Sequence, residues 1–302
     1  GTQWTAPLWL QGEKRFSDRI FTLRKLTESW RPHHSRLPRQ SGHFAFATSA
    51  DAIYLAGGID ATACLREVFS LRLRGDDLVF TRLPDLPKHV GYAAGAIAGG
   101  RFYIIGGLNG VTEKNASAET WSLGPPPAHG IPEWRREADI PGPGIFIASA
   151  ASHRNQIFVF GGMGFDRAGN YSPSKSAYRL SCSDGKWERL PDLPKPRVGA
   201  ATPCAAVSNT IFLIGGYSEV FSGELREHPG FATDTFSFDL TKQRWLSGPN
   251  LPATEIPSRN SPGYDGAGPM IGAPCVVWKD HIIIVSGEVR PSVRTPTVMA
   301  WP

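Results

Sequence analysis

Sulfur is scarce in this chain, with four cysteines and three methionines in 302 residues. Cys64, Cys182, Cys204 and Cys275 form no C-x-x-C pair and have no histidine-rich neighbourhood, which excludes a zinc knuckle and a dithiol redox motif. They read as free, largely buried thiols. Histidine is also sparse, and the adjacent His33 and His34 cannot both face one ion from regular structure, so no metal and no organic cofactor is expected. No apolar run approaches the roughly 18 residues that span a bilayer, so no membrane helix is expected. The charge excess is small: 32 Lys and Arg stand against 27 Asp and Glu, a net +5. These charges are scattered rather than striped, which argues against a nucleic-acid partner and leaves a mild field that favours small anions. The chain begins at Gly1 rather than Met, compatible with a processed export signal or with an arbitrary boundary.

Glycine (33), proline (26) and tryptophan (9) are plentiful, the composition of many short strands joined by tight turns. One module recurs five times: a small-residue strand, a polar turn, an apolar strand ending in a Gly pair or its variant, a long loop, then two aromatic strands. The apolar strands end at Gly57-Gly58, Gly106-Gly107, Gly161-Gly162, Gly215-Gly216 and Gly287-Glu288, at steps of 49, 55, 54 and 72 residues. That spacing is the kelch period of about 50 residues. Phe80, Trp134, Trp187 and Trp245 mark outer strands with Pro-rich exits, where the ring can cover one blade against the next and proline blunts an exposed strand end. Immunoglobulin-like units need about 100 residues and no paired glycines. The expected fold is therefore all-β, a single kelch-type β-propeller over residues 1–302.

The ends set the blade count. The last module lacks a Trp-bearing outer strand, and Gln3-Trp4-Thr5-Ala6-Pro7 resembles Arg244-Trp245-Leu246-Ser247-Gly248-Pro249. The N-terminal strand is accordingly expected to join the C-terminal blade and close the ring. Residues 8–38 hold a degenerate unit with strand candidates at Leu8-Trp9-Leu10, Arg19-Ile20-Phe21-Thr22-Leu23 and from Trp30 to Pro38. Counting it gives six blades, and dismissing it as an elaboration gives five.

Long connections at 108–118, 163–175, 217–233, 289–296 and the crossover 253–267 fall on one face, while opposite turns such as Ser208-Asn209-Thr210 are minimal. Such a loop-rich rim is where a rigid scaffold carries its binding residues. Glu288 breaks the repeat there: it is read as standing where the other modules have their second glycine. Arg290 and Arg294 follow it, between Pro291 and Pro296. A carboxylate beside a guanidinium in a confined cleft is either a structural ion pair or an acid/base group beside an anion clamp. Arg197 and His89, at matching places ahead of inner strands, should reach the same rim as substrate contacts. For both, a strand-start residue bonded to loop carbonyls is the plainer reading. Glu219 and Glu224 read as solvated loop carboxylates.

The stretch Gly287-Glu288-Val289-Arg290-Pro291-Ser292-Val293-Arg294-Thr295 resembles the G-E-x-[KR]-P-x-x-R-T stretch of the bacterial kelch-type sialic acid mutarotases, or N-acetylneuraminate epimerases. The preceding modules, through Phe221-Ser222-Gly223-Glu224 and Phe236-Ser237-Phe238-Asp239 to Arg244-Trp245, are similar as well. The likeness covers most of residues 144–300, with generic kelch sequence before that. The Glu-Arg blade is last here but central in the usual family order, so the resemblance implies a circularly permuted member. It further implies an isomerase that interconverts anomers of N-acetylneuraminate or a related acidic sugar. Glu288 then acts as acid/base, Arg294 as anion-binding group, with Arg290, Arg197 and His89 toward the substrate. An exported location is favoured over a cytoplasmic one on the same ground. The alternative is a non-catalytic kelch module that binds a partner protein. A sialidase-type propeller would need repeated Asp-box turns, and Ser183-Asp184-Gly185-Lys186-Trp187 is a single partial likeness.

Overall fold

Alanine recurs in or just ahead of the first strand of each repeat, where five strands converge on one axis and space is short. Ala45, Ala47, Ala94, Ala96, Ala98, Ala150, Ala151, Ala205 and Ala273 are all buried, and a side chain at Gly95 would meet the backbone of Phe46 at 2.6 Å. The computed structural model describes residues 1–25, 27–125, 130–252, 268–279 and 281–301. The crossover expected at 253–267 lies outside the described residues.

The structure is a five-bladed β-propeller. Four blades are antiparallel four-stranded sheets. Blade 1 runs from Ala45–Thr48 through Ile53–Ala56 and Val68–Arg74 to Asp77–Leu83. Blade 2 comprises Ala94–Ala98, Arg101–Ile105, Thr120–Leu123 and Trp134–Arg136. Blade 3 comprises Ser149–His153, Gln156–Phe160, Ala177–Ser181 and Lys186–Leu190. Blade 4 comprises Ala206–Val207, Thr210–Leu213, Phe236–Asp239 and Arg244–Ser247. Blade 5 has three strands, Cys275–Trp278, His281–Arg290 and Val293–Trp301. All five inner strands line one recess of about 250 Å³ at the short-turn end of the axis, with Ala47, Ala96, Ala151, Ala206 and Val276 among its walls.

Each regular seam between blades is built the same way. Apolar clusters fill the seams between blades 1 and 2, 2 and 3, 3 and 4, and 4 and 5. The outer-strand tryptophans reach back across them: Trp134 Nε1 donates to Pro84 O at 2.9 Å, Trp187 Nε1 to Ala138 O at 3.0 Å and Trp245 Nε1 to Pro191 O at 2.9 Å. On the loop-rich side the Gly pair receives the chain leading into the next blade. The second glycines, Gly58, Gly107, Gly162 and Gly216, donate at 2.8 Å to Val90, Ile145, Arg197 and Met270 carbonyls respectively. A Cβ on the first glycine of each pair would lie 2.0 to 2.4 Å from that same carbonyl, and all four first glycines have positive φ. A side chain is therefore excluded there on both steric and conformational grounds.

Arg197 belongs to such a seam. Its side chain has no exposed surface; Nη2 pairs with Asp234 Oδ1 at 2.7 Å, Nη1 donates to Gly215 O, and the guanidinium lies over Phe236. It is enclosed inside the wall and has no surface to offer a substrate, which corrects the expectation of a rim contact. The charge on its neighbour Lys195 also meets Asp234, at 3.0 Å. Arg39 with Glu67 and Lys88 with Glu119 tie the lead-in chain to its blade in the same manner.

The fifth seam, between blades 5 and 1, is different. Among the described residues it has no apolar cluster of its own. Residues 1–38 bridge it without forming a blade, which decides the count at five. Thr2–Trp4 pairs with Lys14–Phe16, and Arg19–Thr22 with Arg31–Arg36. Leu8–Leu10, read as a strand, is a turn of 3-10 helix. The N-terminal strand, expected on the outer edge of blade 5, thus takes its ladder partner from its own hairpin. It touches blade 5 through Thr2, whose Oγ1 accepts from Arg294 at 2.8 Å, and Trp4. Toward blade 1, the Gly1 nitrogen donates to Ser41 O, and Arg24 and His33 both reach Asp76.

Two outcomes follow for stability. Gly161→Ala should cost about 3 kcal/mol or more, because the Cβ meets the Arg197 carbonyl in a left-handed backbone; urea denaturation of the variant beside the wild type measures it. Asp234→Ala strands a fully enclosed guanidinium and should cost about 3 kcal/mol by the same assay, whereas a loss below about 1 kcal/mol would show the pair to be unimportant to the wall.

Candidate functional site

Five residues at equivalent places, one ahead of each inner strand, form a backbone relay around the mouth of the axis. Tyr92 N donates to His43 O at 3.1 Å, Ile147 N to Tyr92 O at 2.8 Å, Gly199 N to Ile147 O at 3.0 Å and Gly272 N to Gly199 O at 3.1 Å. All five have φ between 52° and 66°, a conformation that turns each N–H toward the carbonyl of the previous blade. The relay starts at His43 and stops at Gly272, and among the described residues no bond joins those two ends. The break coincides with the irregular seam, and the candidate site lies beside it.

Glu288 does not occupy the second-glycine position. Its backbone exchanges hydrogen bonds with Ile271, as Ile59 does with Gly42, Leu108 with Gly91, Met163 with Phe146 and Tyr217 with Val198. The Gly pair of blade 5 is therefore Ser286-Gly287, with Ser286 at φ 53°. Among the described residues no lead-in carbonyl is bonded at this corner, and Ser286 Oγ donates to Thr295 O at 2.8 Å. Glu288 accordingly replaces an apolar or tyrosyl side chain. Its counterparts Leu108, Met163 and Tyr217 pack together over the mouth.

The stretch after Glu288, expected as a loop, is the end of a β-hairpin. Arg290-Pro291-Ser292-Val293 makes the turn, with Pro291 fixing one central residue and Ser292 at φ 61° as the other. A bulge between Glu288 and Arg290 sends the two side chains different ways. Glu288 sits opposite Arg294 in the ladder, with Oε2 at 4.0 Å from Nη2; the side chains are 17% and 27% exposed. Glu288 Oε1 accepts from Ser292 N at 2.8 Å and Oε2 from Trp4 Nε1 at 3.4 Å. Arg294 Nε is buried without a hydrogen-bond partner. Arg290 is buried elsewhere: its guanidinium donates to the carbonyls of Arg226 and His228 and lies 6.0 Å from the Trp9 ring. It ties the 217–233 loop to blade 5, which corrects its expected role as a substrate contact.

Two cationic side chains share this corner with one carboxylate. Lys14, from the N-terminal hairpin, holds His43 Nε2 at 2.9 Å and lies 6.0 Å from the Tyr92 ring. Burial lowers the pKa of Lys14, with Glu288 opposing and Arg294 adding to the shift. Burial likewise lowers that of Arg294, against the pull of Glu288. His43 is pushed down to about 3 by burial and by the charges of Lys14 and Arg294, so its ring is neutral at ordinary pH. Tyr92 and Tyr217, raised by burial to about 12 and feeling the charge of Glu288, stay protonated. The surroundings are aromatic: Phe146 stacks on Phe165 at 5.5 Å, and Tyr171 lies against both. Beyond Tyr217 a cavity of about 650 Å³ opens beneath the 217–233 loop, bordered by Phe221, His228 and Phe231. The arrangement can move a proton at Glu288, hold an anion at Arg294 and Lys14, and pack an apolar ring face.

Of the sequence-derived candidates, Glu288 and Arg294 come together, while Arg290 and Arg197 are enclosed elsewhere. His89 is exposed beside Lys88, and no described contact links it to the pair. Glu219 and Glu224 are exposed. Sequence reading missed Lys14, Trp4 and His43, and the one available signal was the irregular opening unit itself. Among the described residues no group of three metal-binding side chains occurs.

Comparison with known proteins bears on the fold and on which proteins the chain is similar to. Residues 148–194 match the family model described as the Kelch motif. The chain is 27% identical over 225 residues to N-acetylneuraminate epimerase of Haemophilus influenzae (strain PittEE), covering 70% of this chain and 57% of that protein. It is 25% identical over 250 residues to N-acetylneuraminate epimerase 1 of Escherichia coli O6:H1 (strain CFT073), covering 72% and 59%. Beta-scruin of Limulus polyphemus is 28% identical over 174 residues, covering 53% of this chain and 17% of that protein. The chain thus spans little more than half the length of the epimerases it matches. Its repeat, its blade architecture and the matched motif make it a kelch β-propeller, distantly similar in sequence to sugar epimerases.

Proposed function

We propose that this chain interconverts the anomers of an acidic sugar of the sialic acid type, as a sugar isomerase. The observation that carries this reading is the half-enclosed carboxylate of Glu288, 4.0 Å from Arg294, in a register position that blades 1 to 3 fill with Ile59, Leu108 and Met163. An apolar side chain would serve packing at that place. A carboxylate there loses hydration and is retained with two N–H donors and a guanidinium, an arrangement suited to proton transfer. The names of the epimerase relatives supply the substrate class, and the permuted blade order expected from the sequence is part of the same reading.

Anomerisation opens and recloses the ring at a hemiketal carbon. The anomeric hydroxyl loses a proton as the ring oxygen gains one, and the reverse occurs on the other face. Glu288 takes and returns the first proton, a contribution of about 10²–10⁴ in rate. Arg294 holds the carboxylate borne by the anomeric carbon through charge-assisted hydrogen bonds. The aromatic side chains around the mouth suit the C–H face of a sugar.

A second reading, a non-catalytic kelch module that binds a partner protein, rests on the scaffold, since one fold hosts many functions. Proton NMR of freshly released α-N-acetylneuraminate separates the two. Wild type should convert it to the β anomer faster than the spontaneous rate, and Glu288→Gln should lose about 10²-fold or more. Arg294→Lys should weaken substrate binding more than turnover. A wild-type rate equal to the spontaneous one across several acidic sugars would sink the isomerase and leave the interaction module.

A further inference from the structure

Anomerisation needs two proton carriers, and the open seam brings a second one to Glu288. Lys14 is the cross-strand partner of Trp4, and Trp4 Nε1 donates to Glu288 Oε2. Directly opposed residues in a ladder have Cβ atoms about 5 Å apart and share one face, so Lys14 stands on the face of the hairpin that carries Trp4 to Glu288, and the charge of that carboxylate is felt at its ammonium. From the other side His43 Nε2 meets Nζ at 2.9 Å. Since the ammonium can only donate, the imidazole nitrogen facing it is the acceptor. Among the described residues no carboxylate lies within ion-pair distance of Lys14, so its charge is oriented by a neutral group and left available to a ligand.

We propose that Lys14 is the second proton-transfer group, serving the ring oxygen while Glu288 serves the anomeric hydroxyl, and that His43 is the positioning residue that aims it. The proposal rests on the isomerase reading above. Glu288 removes the anomeric O–H proton as the ring C–O bond breaks. The electrons of that bond pass to the ring oxygen, which takes a proton from Lys14 Nζ. The result is an open-chain keto acid, a protonated Glu288 and a neutral amine. Rotation beside the carbonyl carbon then presents its other face. The freed hydroxyl attacks that carbon and returns its proton to Lys14, while the carbonyl oxygen recovers the proton from Glu288. Both side chains end as they began, and no other reactant is consumed.

The groups facing Lys14 are Glu288 and Arg294 from blade 5, His43 ahead of blade 1 and Tyr92 ahead of blade 2, while the charge of the Gly1 nitrogen is felt at His43. Lys14 works in its protonated form, so turnover is lost as pH rises through its pKa. Burial places that loss below the ordinary lysine range. Tyr92 and Tyr217 titrate near 12 and do not supply it.

The test compares kcat and KM from pH 6 to 10, by NMR exchange on one acidic sugar, for wild type, Lys14→Arg, Lys14→Met, His43→Gln, His43→Ala and Glu288→Gln. Lys14→Met should lower kcat about 10²-fold and abolish the alkaline limb. Lys14→Arg should keep KM but not kcat, and should also lack the limb, because a guanidinium does not release its proton in this range. His43→Gln, which retains an acceptor, should keep more turnover than His43→Ala. Lys14→Met with wild-type kcat and an unmoved limb would overturn the proposal while an inactive Glu288→Gln left the isomerase standing. A wild type no faster than the spontaneous reaction would overturn both.

Discussion

The backbone relay from His43 to Gly272 is the constraint on which this architecture turns. Each link needs a residue with positive φ at the point where the chain drops into an inner strand, and only two of the five are glycine. His43, Tyr92 and Ile147 hold a conformation that costs an ordinary L-residue about 1 kcal/mol. The hydrogen bond each makes or receives, together with the packing of the five inner strands, keeps them there. The relay fixes the blades relative to one another at the loop-rich end, and so sets the frame in which any rim residue acts.

Where the relay stops, the rules of the wall change. In the regular seams a carbonyl from the next blade presses on the Gly pair, and the layer above is apolar. At blade 5, among the described residues, no such carbonyl is bonded to the corner: the first glycine has become Ser286, and the next apolar position has become Glu288. The N-terminal hairpin slides into the gap instead, bringing Trp4 and Lys14. Charged groups persist there because they are half-buried and mutually compensated, with donors for the carboxylate and an imidazole acceptor for the ammonium. A single misplaced seam thus creates both the space and the polarity of the candidate site.

Arg197 illustrates how the same residue type serves the opposite end. Its position is apolar in blades 2, 3 and 5, at Val90, Ile145 and Met270. Inserting a guanidinium there demands a partner, and Asp234 supplies it within the seam. Such a pair is costly to break although it adds little over an apolar substitute. Read along the chain it was indistinguishable from a rim cation, because both stand just ahead of an inner strand.

The sequence by itself determined the repeat, the all-β class, the tryptophans that seal the seams and the stretch from Gly287 to Thr295. Each blade imposes the same backbone and packing demands, and a demand made five times is written as a period. Only the tertiary structure decided the blade count, the register that puts Ser286-Gly287 in place of a Gly pair, the burial of Arg197 and Arg290, and the company Glu288 keeps. Trp4 and Glu288 meet across 284 residues of chain. Contacts of that kind depend on how the ring comes round to its own beginning, which happens once and leaves no period to read.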